Sequence, residues 1–225
     1  MKCTISSGHG KYVSGASSII DEVTEARKVV NRVVEILKEM KEEVNIYHDN
    51  TSKTKKDNVN NIVKYHNSTN RDKDISIHFN ANVKTDNPVG VEVLYYTNSN
   101  KELASKLSRA ISNISGLKDR GAKYRDNLGF LKNTQKGAVL IEVCFVDSKK
   151  DVELYKDNFE KICIAIAETL SEKKYVKTIT SSSNNTSKTL YRVICGSYND
   201  KNNALSIQNK LKEAGFNSFL EAVNK

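Results

Sequence analysis

Residues 137–147 read GAVLIEVCFVD, an almost unbroken apolar run interrupted by Glu142. A run of this kind suits a parallel strand covered on both faces, because alternation disappears when neither face meets water. Working outward, KCTIS (2–6), VNIYH (44–48), DISIHFN (74–80) and GVEVLYYT (90–97) also read as strands. Helix-period segments separate them. In residues 22–42 Ala26, Val30, Val33, Leu37 and Met40 recur at helical spacing. Residues 55–68 read as a polar helix with a thin apolar stripe, 101–114 as an amphipathic helix, and 159–173 as the helix that closes the unit. The stretch from Gly116 to Gly129 reads as a basic loop. This alternation predicts an α/β fold, a mostly parallel twisted sheet flanked by helices. In that class, sites sit at the carboxyl ends of strands.

Composition changes near residue 173. KKYVKTITSSSNNTSK is rich in Ser, Thr and Asn and has no helical period, so 173–188 reads as a linker. Residues 1–172 then form the main domain, and 189–225 a small β-α-β module. Its helix carries Leu205, Gln208, Asn209 and Leu211 and ends at Gly215, as a glycine C-cap would end it. A module of this size is too small to be comfortably stable alone.

The chain has 225 residues, 38% hydrophobic and 28% charged, which suits a globular protein rather than a disordered one. No apolar run is long enough to insert in a membrane. The opening MKCTISSGHG has no apolar h-region, so it does not read as a secretory signal. The net charge of +9 favours polyanions such as nucleic acid, anionic lipid or a teichoic-acid-bearing wall, and equally suits a solubilising lysine-rich surface. Nucleic acid is disfavoured because aromatics are not interleaved with Lys and Arg along one sheet face. Cys3, Cys144, Cys163 and Cys195 show no C-x-x-C spacing, which argues against a zinc knuckle and for synthesis in a reducing compartment.

Four histidines are candidates for chemistry. His48 and His66 lie among polar neighbours and read as surface residues. His9, in SGHG, follows the first strand, where flanking glycines let the backbone turn and project the imidazole. His78 interrupts the third strand. Alternation puts Ile75, Ile77 and Phe79 on one face and Ser76, His78 and Asn80 on the other. A catalytic zinc needs three protein ligands and an open fourth position. The helix after His9 offers Glu22 and Glu25, although acidic residues also favour helix N-termini for dipole reasons. Glu142 is the second anomaly. A carboxylate in an apolar strand costs several kcal/mol unless it is paired, metal-associated or protonated. Arg120 and Arg125 are candidate partners.

SGHG, TEARKVVNRVVEIL, SIHFNAN and LIEVCFVD together resemble the zinc-dependent N-acetylmuramoyl-L-alanine amidases of bacterial autolysins and phage endolysins. The resemblance spans roughly residues 1–172, and S-I-H-x-N is its most specific piece. It implies one zinc held by His9, Glu25 and His78 with water as fourth ligand, and Glu142 as the catalytic glutamate. Glu25 is preferred to Glu22 because the apolar phase that follows it looks like the family's helix. Two departures stand out: SSGHG replaces the frequent Asp-Pro-Gly-His-Gly, and Cys144 replaces a common glycine. LYRVICGSYNDKNNA resembles the start of a SPOR repeat, a peptidoglycan-binding module. One half repeat alone implies a homodimer in which a second chain completes the sheet.

The resemblance implies hydrolysis of the amide between N-acetylmuramic acid and L-alanine of the stem peptide, with peptidoglycan as partner. Within enzymes, the rival is a zinc carboxypeptidase or endopeptidase acting on wall peptides. Outside enzymes, it is a non-catalytic wall-binding protein. Without a signal peptide, the chain fits a phage endolysin of a Gram-positive host released through a holin, or an autolysin acting when a cell lyses.

Overall fold

The computed structural model describes residues 1–176, 195–216 and 218–222. The chain divides into two compact units, 1–179 and 180–225. In the first, β1 (Lys2–Ser7), β2 (Glu43–Tyr47), β3 (Lys73–Asn80), β4 (Val91–Tyr95), β5 (Asp119–Tyr124) and β6 (Gly137–Phe145) form one sheet in the order β2-β1-β3-β6-β4-β5. All neighbours are parallel except β4 and β6, which run antiparallel. The sheet is therefore mostly parallel, as the apolar run of β6 foretold.

Helices cover both faces. On one side lie α1 (Glu22–Glu39), α3 (Lys101–Ser115) and α6 (Phe159–Ser171). They bury Ile5, Ile75, Ile77, Phe79, Val139, Ile141 and Val143 in the larger core. The other side carries a smaller core, built by Ile62 of α2 (Lys55–Ser68) and by Phe130 and Leu131 of α4 (Gly129–Asn133) against Leu94, Ala138 and Leu140. The helix α5 (Lys149–Asp157) follows β6. Its N-cap Ser148 accepts a hydrogen bond from the Asp151 amide.

Two sequence expectations change. The stretch read as loop contains β5, an edge strand whose polar residues DRGAKY show no apolar period. His66 and His48 are not surface residues. His66 is fully buried. Its Nδ1 lies 2.8 Å from Asp74 Oδ1 and its Nε2 3.0 Å from Ser6 Oγ. Arg71 donates to the same Asp74 from Nε and Nη2, at 2.5 and 3.0 Å. His66, Asp74, Ser6 and Arg71 are all buried, and their bonds tie α2 to β1 and β3. His48 is half-buried between Ser7 Oγ at 2.9 Å and Asn31 Oδ1 at 3.0 Å.

Acid should therefore loosen the domain. Burial holds His66 below its usual value despite Asp74, so the unfolded chain takes up a proton first as pH falls below about 6.5. Burial and the neighbouring Arg27 hold His48 down at about 4, which adds a loss of the same sign. For Asp74, burial acts upward, but bonds from His66 and Arg71 outweigh it and depress the carboxyl. Its contribution is present above the ordinary aspartate value and fades as pH drops through the lower folded one. His66→Ala should cost about 3 kcal/mol in urea unfolding, because Asp74 and Ser6 lose a buried partner.

In the second unit, α7 (Lys201–Glu213) begins at Asp200, whose carboxylate accepts the amides of Asn202 and Asn203. It ends as expected at Gly215, in the left-handed region at φ +85°. The Gly215 amide bonds Lys212 O and the Phe216 amide bonds Leu211 O, a Schellman closure. Residues 189–194, on which the expected first strand and the homodimer sheet depend, lie outside the described residues, as does most of the expected linker.

Candidate metal centre and its neighbouring carboxylate

His9 and His78 sit where β1 and β3 end, and the turn after β1 is built to admit both. The Gly8 amide donates to Ile77 O at 2.9 Å, and Asn58 Nδ2 donates to Gly8 O at 3.0 Å. A Cβ on Gly8 would lie 1.8 Å from the His78 ring, and one on Gly15 would lie 2.3 Å from Glu22 Oε2. Glycine at these positions makes room for the close approach of side chain to backbone. Ser7, which stands before SGHG's glycine, turns to His48.

The carboxylate that completes the group is Glu22, the first residue of α1. Its Oε1 lies 2.9 Å from His78 Nδ1 and its Oε2 3.5 Å from His9 Nε2. Ligand atoms of His9, Glu22 and His78 all lie within 4.8 Å of one another. Two backbone amides hold the carboxylate still, Phe79 N at 3.1 Å and Ala16 N at 2.6 Å. Glu25, expected in this position, is elsewhere: it accepts from Tyr155 OH at 2.9 Å and pairs with Lys28 at 2.8 Å. The physical reason lies in helix phase. Glu22 precedes Ala26 by four residues and extends the buried stripe of α1 to its first turn, whereas Glu25 falls on the flank.

The electrostatics are those of a tightly coupled group. Burial acts to raise Glu22, but its bond to His78 and the charges of both histidines outweigh this and hold the carboxyl below its usual range. Burial lowers His9, against the pull of Glu22. Burial acts downward on His78 too, yet the bond to Glu22 and the charges of Glu142 and Glu22 leave it raised.

Glu142 stands directly beside this group, since it pairs in register with His78 across the β3–β6 ladder. Its Oε2 is buried and has no hydrogen-bond partner among the described residues. Burial raises its pKa to about 7, with His78 opposing and the negative charges of Glu22 and Glu92 adding. Neither arginine expected as a partner bonds it. Arg120 Nε instead donates to Glu92 Oε2 at 2.7 Å, and Arg125 donates to Tyr124 O. Immediately beyond, the register shifts so that Asn80 pairs with Phe145. The extra β6 residue lets both Val143 and Cys144 enter the core, so Cys144 does not narrow the site. Asn80 serves Glu92 rather than a histidine, with Nδ2 at 3.3 Å from Oε1.

Against this geometry, comparison with known proteins is decisive. The family model for N-acetylmuramoyl-L-alanine amidase matches residues 3–172. The chain belongs to this amidase family. A SPOR domain model matches residues 165–220, so that match begins inside α6. Among solved members, the catalytic domain of the CD27L endolysin targeting Clostridia difficile is 27% identical, with a TM-score of 0.71 over 77% of this chain and 98% of that one. The catalytic domain of CwlV, an N-acetylmuramoyl-L-alanine amidase from Bacillus (Paenibacillus) polymyxa var. colistinus, is 28% identical, with a TM-score of 0.63 over 76% and 97%. An uncharacterized 38.4 kDa protein of Clostridium perfringens is 35% identical over 70% of this chain and 46% of its own length. Another protein of that species is 31% identical over 80% and 54%. The chain thus spans about half the length of the curated relatives it matches. No described helix is long and apolar enough to cross a membrane.

Proposed function

We propose that the chain is a zinc-dependent peptidoglycan hydrolase that cleaves the amide joining N-acetylmuramic acid to L-alanine of the stem peptide. The observation that carries this reading is the set His9, Glu22 and His78 with Glu142 beside it in the same sheet row. Two imidazoles and one carboxylate, converging within 4.8 Å at strand ends, suit zinc in both donor type and number. Zinc bound there would lower the pKa of a water toward about 7 and polarise the scissile carbonyl.

The remaining work falls to the protein. The amides of Phe79 and Ala16 fix Glu22 so that its two oxygens face the two histidines. Glu142 accepts the proton of the attacking water and returns it to the alanine nitrogen as the amide breaks. A carboxyl held near pH 7 by burial suits both halves of that transfer. The SPOR-matching segment would hold the chain on wall glycan, and residues 189–225 would form that module.

Release through a holin as a phage endolysin is favoured by the likeness to CD27L. A carboxypeptidase or endopeptidase of wall peptides would use the same metal set, so the products must separate the two. Digestion of purified Gram-positive wall should expose new amino termini on alanine without new reducing sugars. Chelation should stop it and added zinc restore it. Release of reducing sugar, or activity indifferent to chelator, would reject the proposal.

A further inference from the structure

The row that holds His78 and Glu142 continues across the sheet. Glu142 pairs in register with Glu92 of β4, and Glu92 in turn binds Arg120 of β5. The guanidinium is clamped twice: Nε donates to Glu92 at 2.7 Å, and Cζ stacks 5.0 Å over the Phe145 ring. Glu92 is itself fixed from the other side by Asn80. The terminal nitrogens of Arg120 have no hydrogen-bond partner among the described residues, and the side chain is 34% exposed. A guanidinium with one edge and one face immobilised and its fork left open is a pre-organised receptor for a planar anion. Strands lie about 4.8 Å apart, so β5 is about 10 Å from the Glu142 strand. Extended peptide covers that span in about three residues, and the Arg120 side chain shortens it by leaning back over Phe145 of β6.

The structure assigns Arg120 as the residue that binds a carboxylate on the peptide half of the substrate, on the amino acid following alanine. The assignment rests on the amidase reading for the identity of that peptide. Its chemistry selects the peptide half: the muramic half spends its carboxyl in the scissile amide, so only the peptide offers an anion. Glu92 acts as the positioning residue that aims the fork.

The test is calorimetric binding, to the Glu142→Gln chain, of N-acetylmuramoyl-L-alanyl-D-glutamate γ-methylamide, which keeps one free α-carboxylate, and of its D-isoglutamine counterpart, which keeps none. The free carboxylate should bind about 10- to 100-fold more tightly than the amide, the value of a charge-assisted bidentate pair. Adding Arg120→Gln should erase this preference. Arg120→Lys keeps a cation for Glu92, and so the fold, but offers no fork; it should lose most of the preference with an unchanged melting temperature. Equal binding of the two ligands, no binding of either, or a preference that survives both substitutions would overturn the assignment. Selective binding by a chain whose Glu142 form never releases alanine would keep it and reject the amidase reading instead.

Discussion

Glu142→Gln should reduce turnover by about a thousandfold or more while leaving the fold and the metal affinity intact. General acid–base groups contribute about 10²- to 10⁴-fold, and Glu142 is asked to act twice in one cycle. Glutamine matches its volume and keeps the His78–Glu142–Glu92 row in register. The substitution also removes a buried carboxylate whose Oε2 has no partner, so stability should hold or rise. The sign of the pH effect follows. A carboxyl raised to about 7 makes the metal-free native state bind more protons than the unfolded chain between about 4.5 and 7. That part of stability declines as pH rises through this window, and the variant should lack the decline. Activity within about tenfold of the parent would remove Glu142 from the chemistry.

Glu22→Ala should abolish stoichiometric zinc binding, whereas Glu25→Ala should retain it. Loss of an outer support of a metal ligand already costs about 10- to 100-fold in affinity, and loss of the ligand itself should exceed that. Glu22→Ala also strands the amides of Phe79 and Ala16, so it should destabilise the domain by about 1–3 kcal/mol. Glu22→Gln separates the two effects in part, since it removes the charge and its one carbonyl oxygen keeps an acceptor for the Phe79 or the Ala16 amide, not for both. Glu25 touches Tyr155 and Lys28, so its loss should cost about 1 kcal/mol and leave affinity within about twofold. Metal content after dialysis and zinc titration decide the matter. A Glu25 variant that loses zinc while a Glu22 variant keeps it would restore the sequence-based choice.

That choice shows where sequence reading succeeds and where it stops. Strands were legible wherever burial forces apolar runs or strict alternation, as in residues 74–80 and 137–145. His9, His78 and Glu142 were legible because each breaks its local pattern. Glu22 and Glu25 both suit a helix N-terminus, and only three-dimensional phase separates them. The signal was present, since counting back four residues from Ala26 lands on Glu22. His66 was missed for a related reason. Its sequence neighbours are polar, yet Asn58, Ile62 and His66 recur every four residues and form the buried stripe of α2. The edge strand β5 carried no apolar period at all, so the row ending in Arg120 emerges only from strand pairing. The Glu92–Arg120 pair joins residues 28 positions apart, beyond any local pattern.

The most direct test of the proposed activity is mass analysis of the products from one defined muropeptide with an intact stem. The two fragments should be a peptide beginning at L-alanine and an N-acetylmuramic acid with a free lactyl carboxylate. Fragments cut within the stem, with alanine still joined to muramic acid, would contradict it.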